Sequence, residues 1–97
     1  MISVSAQEKI NENRFSAYFI IRPDYSCVFH DGQDIVHVER NELMPGTPAR
    51  YALPKVARRL PFKEHERPLL LIPDIYSCYA ESLKHLPKCV TIEPYTP

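Results

Sequence analysis

Cysteine and histidine hold metals and activate nucleophiles, and this chain places them at Cys27, His30, His37, His65, Cys78, His85 and Cys89. Their spacing decides what they can do. Structural zinc needs four ligands in short paired spacings, and none of these residues is paired that way. Cys27 and His30 stand three apart in a stretch that reads as a strand, so their side chains point to opposite faces. Cys78 and His85 share the polar side of an expected helix, but two turns separate them, too far for a base to activate the thiol. Glu64 and Glu66 flank His65 in the most polar stretch of the chain, and a solvated loop does not shift pKa values toward catalysis. The chain has only two glycines, no glycine-rich loop before a helix and no activated-serine motif. The expectation is a protein that is not an enzyme, with no cofactor and no metal.

Charge says more. Twelve basic and twelve acidic groups cancel over the 97 residues, but they are not mixed evenly. Residues 1–49 carry four basic against seven acidic groups, residues 50–67 six against two, and residues 68–97 two against three. The neutral total hides a basic middle segment made of Arg50, Lys55, Arg58, Arg59, Lys63 and Arg67. Arginine predominates there, and its planar fork pairs more specifically with carboxylate or phosphate than an ammonium does. Tyr51 and Phe62 lie in the same segment and are expected to serve as interface anchors. A solvated helix face is the plain reading. A patch that docks on an acidic protein surface or on phosphates is the functional one.

The elements that must position these residues follow from pattern. Pro68 to Pro94, PLLLIPDIYSCYAESLKHLPKCVTIEP, reads as strand, helix, strand. Leu69 to Ile72 is an apolar run stopped by Pro73, and Cys89 to Ile92 is a second closed by Pro94. Between them, at 100° per residue, Ile75, Tyr76, Tyr79, Ala80, Leu83 and Leu86 fall within about 140°, the apolar side of an α-helix that Pro87 ends. Such a unit favours two parallel strands joined by a right-handed crossover.

Upstream, Ser5-Ala6-Gln7-Glu8 has capping-box spacing and predicts a short helix from Ala6 to about Glu12. Arg14 to Arg22 reads as a strand, broken at Pro23-Asp24. Tyr25 to Glu39 reads as a hairpin turning at Asp31-Gly32. A two-residue turn would pair His30 with Gln33, Val28 with Ile35 and Cys27 with Val36. One face, with Tyr25, Cys27, Phe29, Val36 and Val38, is then core. The other, with Ser26, Val28, His30, Ile35 and His37, is mixed and is expected to be wet or to meet a partner. Prolines punctuate residues 41–54, so long regular structure is not expected there. Thr47 is a candidate helix cap, and Pro54 to Leu60 a short helix with Val56, Ala57 and Leu60 inward. The tail from Glu93 to Pro97 is too proline-rich for a strand end and is expected to be extended and available for contact.

The fold class is therefore α+β: a small mixed sheet with an N-terminal β-hairpin and a C-terminal strand-helix-strand unit, in one domain over 1–97. No run of about 18 apolar residues occurs, so no membrane span is expected. The N-terminus lacks a basic start and an apolar signal core, and three widely spaced cysteines argue for reduced thiols, so a cytoplasmic location is expected. Ten prolines make many slow X-Pro bonds. Among them Arg67-Pro68, at the junction of the polar loop and the apolar strand, is the bond a prolyl isomerase would reach most easily.

The stretch Pro61 to Tyr79, PFKEHERPLLLIPDIYSCY, and the length and proline-rich character of the whole chain resemble the anti-RecBCD proteins of lambdoid phages, the Abc type. The resemblance implies a modulator in the host cytoplasm that binds the RecBCD helicase-nuclease through its RecC subunit. It also implies an altered Chi response and altered nuclease control, so that recombination favours phage DNA. The implied partner is RecBCD; a host peptidyl-prolyl isomerase acting at Pro68 is a separate expectation, from the prolines. Two other readings compete: a small DNA-binding accessory protein using residues 50–67, with Phe15, Tyr18, Phe19 and Tyr51 as stacking rings, and a thiol enzyme using Cys78.

Overall fold

A computed structural model describes residues 2–30, the backbone of 35–39, and 43–97. The elements run α1 (Val4–Asn11), β1 (Ala17–Ile21), β2 (Cys27–His30), β3 (Ile35–Glu39), α2 (Ala49–Ala57), β4 (Pro68–Pro73), a 3-10 helix (Asp74–Leu83) and β5 (Thr91–Tyr95). The strands form one five-stranded mixed sheet in the order β3-β2-β1-β4-β5. β1 is antiparallel to β2, and β2 to β3, while β1, β4 and β5 run parallel. The class is α+β, and the C-terminal unit is the parallel strand-helix-strand expected.

The central strands explain why the sheet is covered on both sides. In β1 and β4, alternate residues enter different cores. Phe19, Ile21, Leu70 and Ile72 join Cys27, Leu53, Val56, Ala57, Leu60 and Leu83 on the side of α2 and the 3-10 helix. Tyr18, Ile20, Leu69 and Leu71 join Ala6, Ile10, Val28 and Tyr95 on the side of α1. A strand buried on both faces has no polar alternation, which is why the apolar run Leu69 to Ile72 carries no periodic signal.

α1 overturns one expectation. The mixed face of β2 is neither wet nor free for a partner, because Ser26, Val28 and His30 are all buried, and Val28 packs in the α1 core. α1 itself is capped by Ser3, whose Oγ accepts from the Ala6 N–H at 3.2 Å. Ser5, expected as the cap, instead accepts from the Thr96 backbone N–H at 3.1 Å. The hairpin register also differs. Cys27 lies opposite Glu39, Val28 opposite Val38 and His30 opposite Ile35, with a bulge between Phe29 and His30. His30 already lies opposite Ile35 instead of Gln33, two positions further along, and the bulge adds one more residue toward Cys27. The proposed Asp31-Gly32 turn lies outside the described residues.

The segment after β4 is helical but not α-helical. Asp74–Leu83 is a 3-10 helix with three residues per turn. At about 120° per residue, Tyr76, Tyr79, Ala80, Leu83 and Leu86 still turn inward, but Ile75 swings to the opposite side. Ile75 is accordingly 62% exposed, while Leu83 is buried.

The C-terminal strand begins two residues later than expected and runs through Pro94. β5 is an edge strand, where the missing proline N–H breaks no ladder. The tail is therefore extended, as expected, but only in part available for contact, with Pro94, Thr96 and Pro97 exposed. Tyr95 is buried, and its hydroxyl donates to the Ile21 carbonyl at 2.7 Å.

Candidate functional site

The basic segment is carried by α2 and the loop that follows it. α2 begins at Ala49 after Pro48, which supplies no side-chain cap. Thr47, expected as the cap, closes the preceding turn, its hydroxyl donating to the Met44 carbonyl at 2.7 Å. Helix does not restart at Pro54. It runs through it, from Ala49 to Ala57. A proline there removes one N–H, so only the carbonyl of Arg50 loses its helical partner. Arg50 is exposed, and water can take that carbonyl. At the far end the chain tightens, with Arg59 N–H donating to Val56 O and Leu60 N–H to Ala57 O. Arg58 Nε donates to the Pro54 carbonyl at 3.3 Å, a cation placed on the negative end of the helix.

Helix geometry sorts the rest. At 100° per residue, Ala52, Leu53, Val56, Ala57 and Leu60 occupy one arc of about 140°, and all are buried. Tyr51, Lys55 and Arg58 fall within about 60° on the opposite side. All three are exposed, Tyr51 by 59%. The Arg50 guanidinium sits over the Tyr51 ring, 4.9 Å from its centroid, which holds both side chains in one orientation. This stacking is the part of the site that the sequence reading missed; the adjacency of an arginine and a tyrosine in a helix was its available signal.

Lys63 and Arg67 are exposed in the loop before β4, and Arg59 is exposed just after α2. The ion pairs among the described residues lie elsewhere: Lys9 with Glu93 at 3.0 Å, and Arg14 with Glu12 at 2.8 Å and with Glu93 at 3.4 Å. Arg50, Lys55, Arg58, Arg59, Lys63 and Arg67 thus make no ion pair with a described residue. Phe62 is half-buried, its ring centroid 4.8 Å from that of Phe19, so part of it packs against the core.

Pro68 sits at the loop-to-strand junction, as read, but it is not exposed. It is fully buried at the start of β4, opposite Ala17 of β1. The residue before it is also tied down. Arg67 N–H donates to Ser16 Oγ at 2.9 Å, and Ser16 N–H donates back to the Arg67 carbonyl at 3.2 Å.

The chemistry-bearing side chains stay apart. Cys27 is buried, Cys89 half-buried and Cys78 exposed, and none of them is in a disulfide. His65 and His85 are exposed. Among the described residues no three His, Cys, Asp or Glu side chains gather as a metal site would require. His37 lies on β3, of which only the backbone is described. Among the described residues no helix is long and apolar enough to cross a membrane. Comparison with protein-family models, with curated proteins and with solved structures finds no match to this chain.

Proposed function

We propose that the chain acts as a non-catalytic modulator, docking the basic face of α2 and the loop after it on an acidic surface of a larger enzyme. One observation carries this reading. Tyr51, Lys55 and Arg58 line one exposed helix stripe, with Arg59 and Lys63 beyond it, and none of these cations is neutralised by a described side chain. Of the cations elsewhere, Lys9 and Arg14 are paired. Arg22, Lys84 and Lys88 also make no ion pair with a described residue, so what sets α2 apart is the gathering of its cations on one face. A helix face carrying anchors at i, i+4 and i+7 is a recurring way to dock in a groove. Opposite charge on the partner would speed the encounter and fix its register.

With the resemblance of Pro61 to Tyr79, the proposed partner is host RecBCD, engaged through RecC in the host cytoplasm. The proposed effect is altered Chi response and nuclease control, by binding one state of that enzyme more tightly than another. A prolyl isomerase acting at Arg67-Pro68 would need the first residue of β4 to leave the sheet. Pro68→Ala is expected to weaken capture of the partner more than Pro97→Ala does, and equal effects would remove the isomerase from the scheme.

The test is affinity purification of the tagged chain from a nuclease-treated bacterial lysate. Recovery of RecB, RecC and RecD is expected, and its loss in the Arg58→Glu, Arg59→Glu double variant, with an unchanged circular dichroism spectrum. Recovery that survives the double reversal would overturn the role given to α2, and failure to recover the enzyme at all would overturn the partner. The alternative, a small DNA-binding accessory protein using residues 50–67, loses most of its stacking platform. Tyr18 and Phe19 are buried, Phe15 is half-buried, and Tyr51 alone is exposed. That reading requires nucleic-acid affinity that falls steeply with salt.

A further inference from the structure

Helix geometry alone does not put Arg50 on the exposed stripe of α2. At 100° per residue its Cα lies about 80° round the helix from Arg58, and only about 20° from Ala57 on the buried arc. Its guanidinium nevertheless sits over the Tyr51 ring, 4.9 Å from the centroid. The stack carries the charge of Arg50 away from the buried arc and into the stripe of Tyr51, Lys55 and Arg58.

The charge along this surface has one sign. No Asp or Glu occurs between Glu42 and Glu64, a run that holds Arg50, Lys55, Arg58, Arg59 and Lys63. The 3-10 helix packs on the buried side of α2 and brings Asp74 and Glu81, and neither makes an ion pair with a cation of α2. The complement of such a surface is acidic.

The cations of α2 differ in what they still offer. Arg58 Nε already donates to the Pro54 carbonyl at 3.3 Å, so one edge of its guanidinium is taken. Lys55 is a point charge without a fork. Arg50 makes no ion pair with a described residue. Stacking uses the flat face of its guanidinium, and the N–H groups lie in the plane, where a carboxylate accepts two of them at once. A side chain already held on a ring loses less freedom on binding. A nucleic acid would use the pair differently, since a base needs an open ring face and Arg50 covers one face of Tyr51.

We propose that Arg50 is the specificity-determining residue of the α2 surface, taking one carboxylate of an acidic partner protein as a two-bond pair. Tyr51 is the positioning residue that aims it. This rests on the reading of α2 as the docking face and adds which contact selects the partner.

The test is titration of the isotope-labelled full chain with acetyl-Glu-Ala-Ala-Glu-Ala-Ala-Glu-amide and with the same peptide carrying Gln for Glu, followed by amide and arginine Nε–H shifts. The Glu peptide is expected to move Arg50 Nε–H and the amides of Tyr51 and Lys55 to saturation, and the Gln peptide is not. Arg50→Lys keeps the charge and loses the fork, so affinity should fall about tenfold, the worth of a charge-assisted pair. Arg58→Lys also keeps the charge and should cost less. Tyr51→Phe should bind as the natural chain does, and Tyr51→Leu should fall to the level of Arg50→Lys. Combining Tyr51→Leu with Arg50→Lys should lose no more, because both act through one contact. All three positions are exposed, so signal dispersion should be kept in every variant. Equal losses in Arg50→Lys and Arg58→Lys, or none in either, would overturn the role of Arg50 and leave α2 docking by diffuse charge. Full affinity in Tyr51→Leu would overturn the positioning role. No saturable shift on α2 would overturn the docking face as well as this inference. Shifts on α2 produced by an oligothymidylate and not by the Glu peptide would overturn the protein partner.

Discussion

Tyr25 lies flat on Tyr76, the ring centroids 5.4 Å apart and the planes 8° from parallel. Tyr25 also has a left-handed backbone, φ 68°, a region that suits glycine. Both follow from the β1–β2 connection. Pro23, Asp24 and Tyr25 form a three-residue hairpin loop whose third residue must be left-handed. The Tyr76 hydroxyl then donates to the Pro23 carbonyl at 2.8 Å, so the 3-10 helix braces the same turn.

This turn yields the first prediction. Left-handed backbone costs an L-residue about 1–2 kcal/mol, and the stack offsets part of that. Tyr25→Ala keeps the strain and loses the stack, whereas Tyr25→Gly loses both. Tyr25→Gly should therefore be more stable than Tyr25→Ala by about 1 kcal/mol in urea unfolding. The reverse order would show that the turn is not strained.

The same end of the molecule sets the alkaline limit of stability. Burial pushes the Tyr25 phenol up to about 12, helped by its hydrogen bond and proximity to Tyr76. Burial also pushes Tyr95 up to about 12, with Arg22 pulling it down and Asp24, Cys27 and Asp74 pushing it up. A phenol whose pKa is higher in the folded chain than the usual 10 adds stability that is complete below pH 10. That stability is lost as pH rises through 12. The urea midpoint should be level from pH 8 to 10 and fall between 10 and 12. Tyr95→Phe should be less stable at neutral pH, for want of the bond to Ile21, and should show a shallower fall. An unchanged slope in that variant would assign the loss elsewhere.

What the sequence made legible was whatever depends on residue type over short range. The apolar run of β4, the inward set of Val56, Ala57 and Leu60, and the parallel pairing of β4 with β5 could all be read. The unread features depend on partners far along the chain. Ser3 and Ser5 are equally good caps locally, and Thr96 decides between them by occupying Ser5. Pro94 reads as a strand stop unless β5 is known to be an edge. Phe62 in a basic segment reads as an interface anchor, and its packing on Phe19 is hidden until the fold brings the two rings together. The basic face itself was visible as charge, but not the stripe, because Pro54 hid the continuity of α2.

Continuity through Pro54 is testable. Pro54→Ala restores one N–H to the helix and raises intrinsic propensity, while the looser unfolded chain takes back part of the gain. A net stabilisation of about 1 kcal/mol is expected, with the helical circular dichroism signal rising. A loss of stability would mean that the proline shapes the helix in a way its neighbours need.

Glu93 links the N-terminal helix to the edge strand through Lys9 and Arg14. These groups are partly exposed, with Arg14 the most open, so the pairs are weak and screened by salt. Glu93→Gln should destabilise by no more than about 1 kcal/mol at low salt and by less at high salt. A larger, salt-independent loss would show that α1 is held to the sheet chiefly by charge rather than by Ala6 and Ile10.

The 3-10 helix gives the sharpest contrast between two readings of one segment. At the α-helical period Ile75 belongs to the apolar arc with Leu83. At three residues per turn it lies opposite that arc, and it is exposed. Ile75→Lys should therefore change stability by less than about 0.5 kcal/mol, as a surface substitution does. Leu83→Ala, which empties a position packed against α2, should cost about 2–5 kcal/mol. Since a domain of this size holds only about 5–15 kcal/mol in all, the Leu83 variant should unfold at markedly lower urea. If Ile75→Lys proved as damaging as Leu83→Ala, Ile75 would have to be inside, and the segment would be an ordinary α-helix.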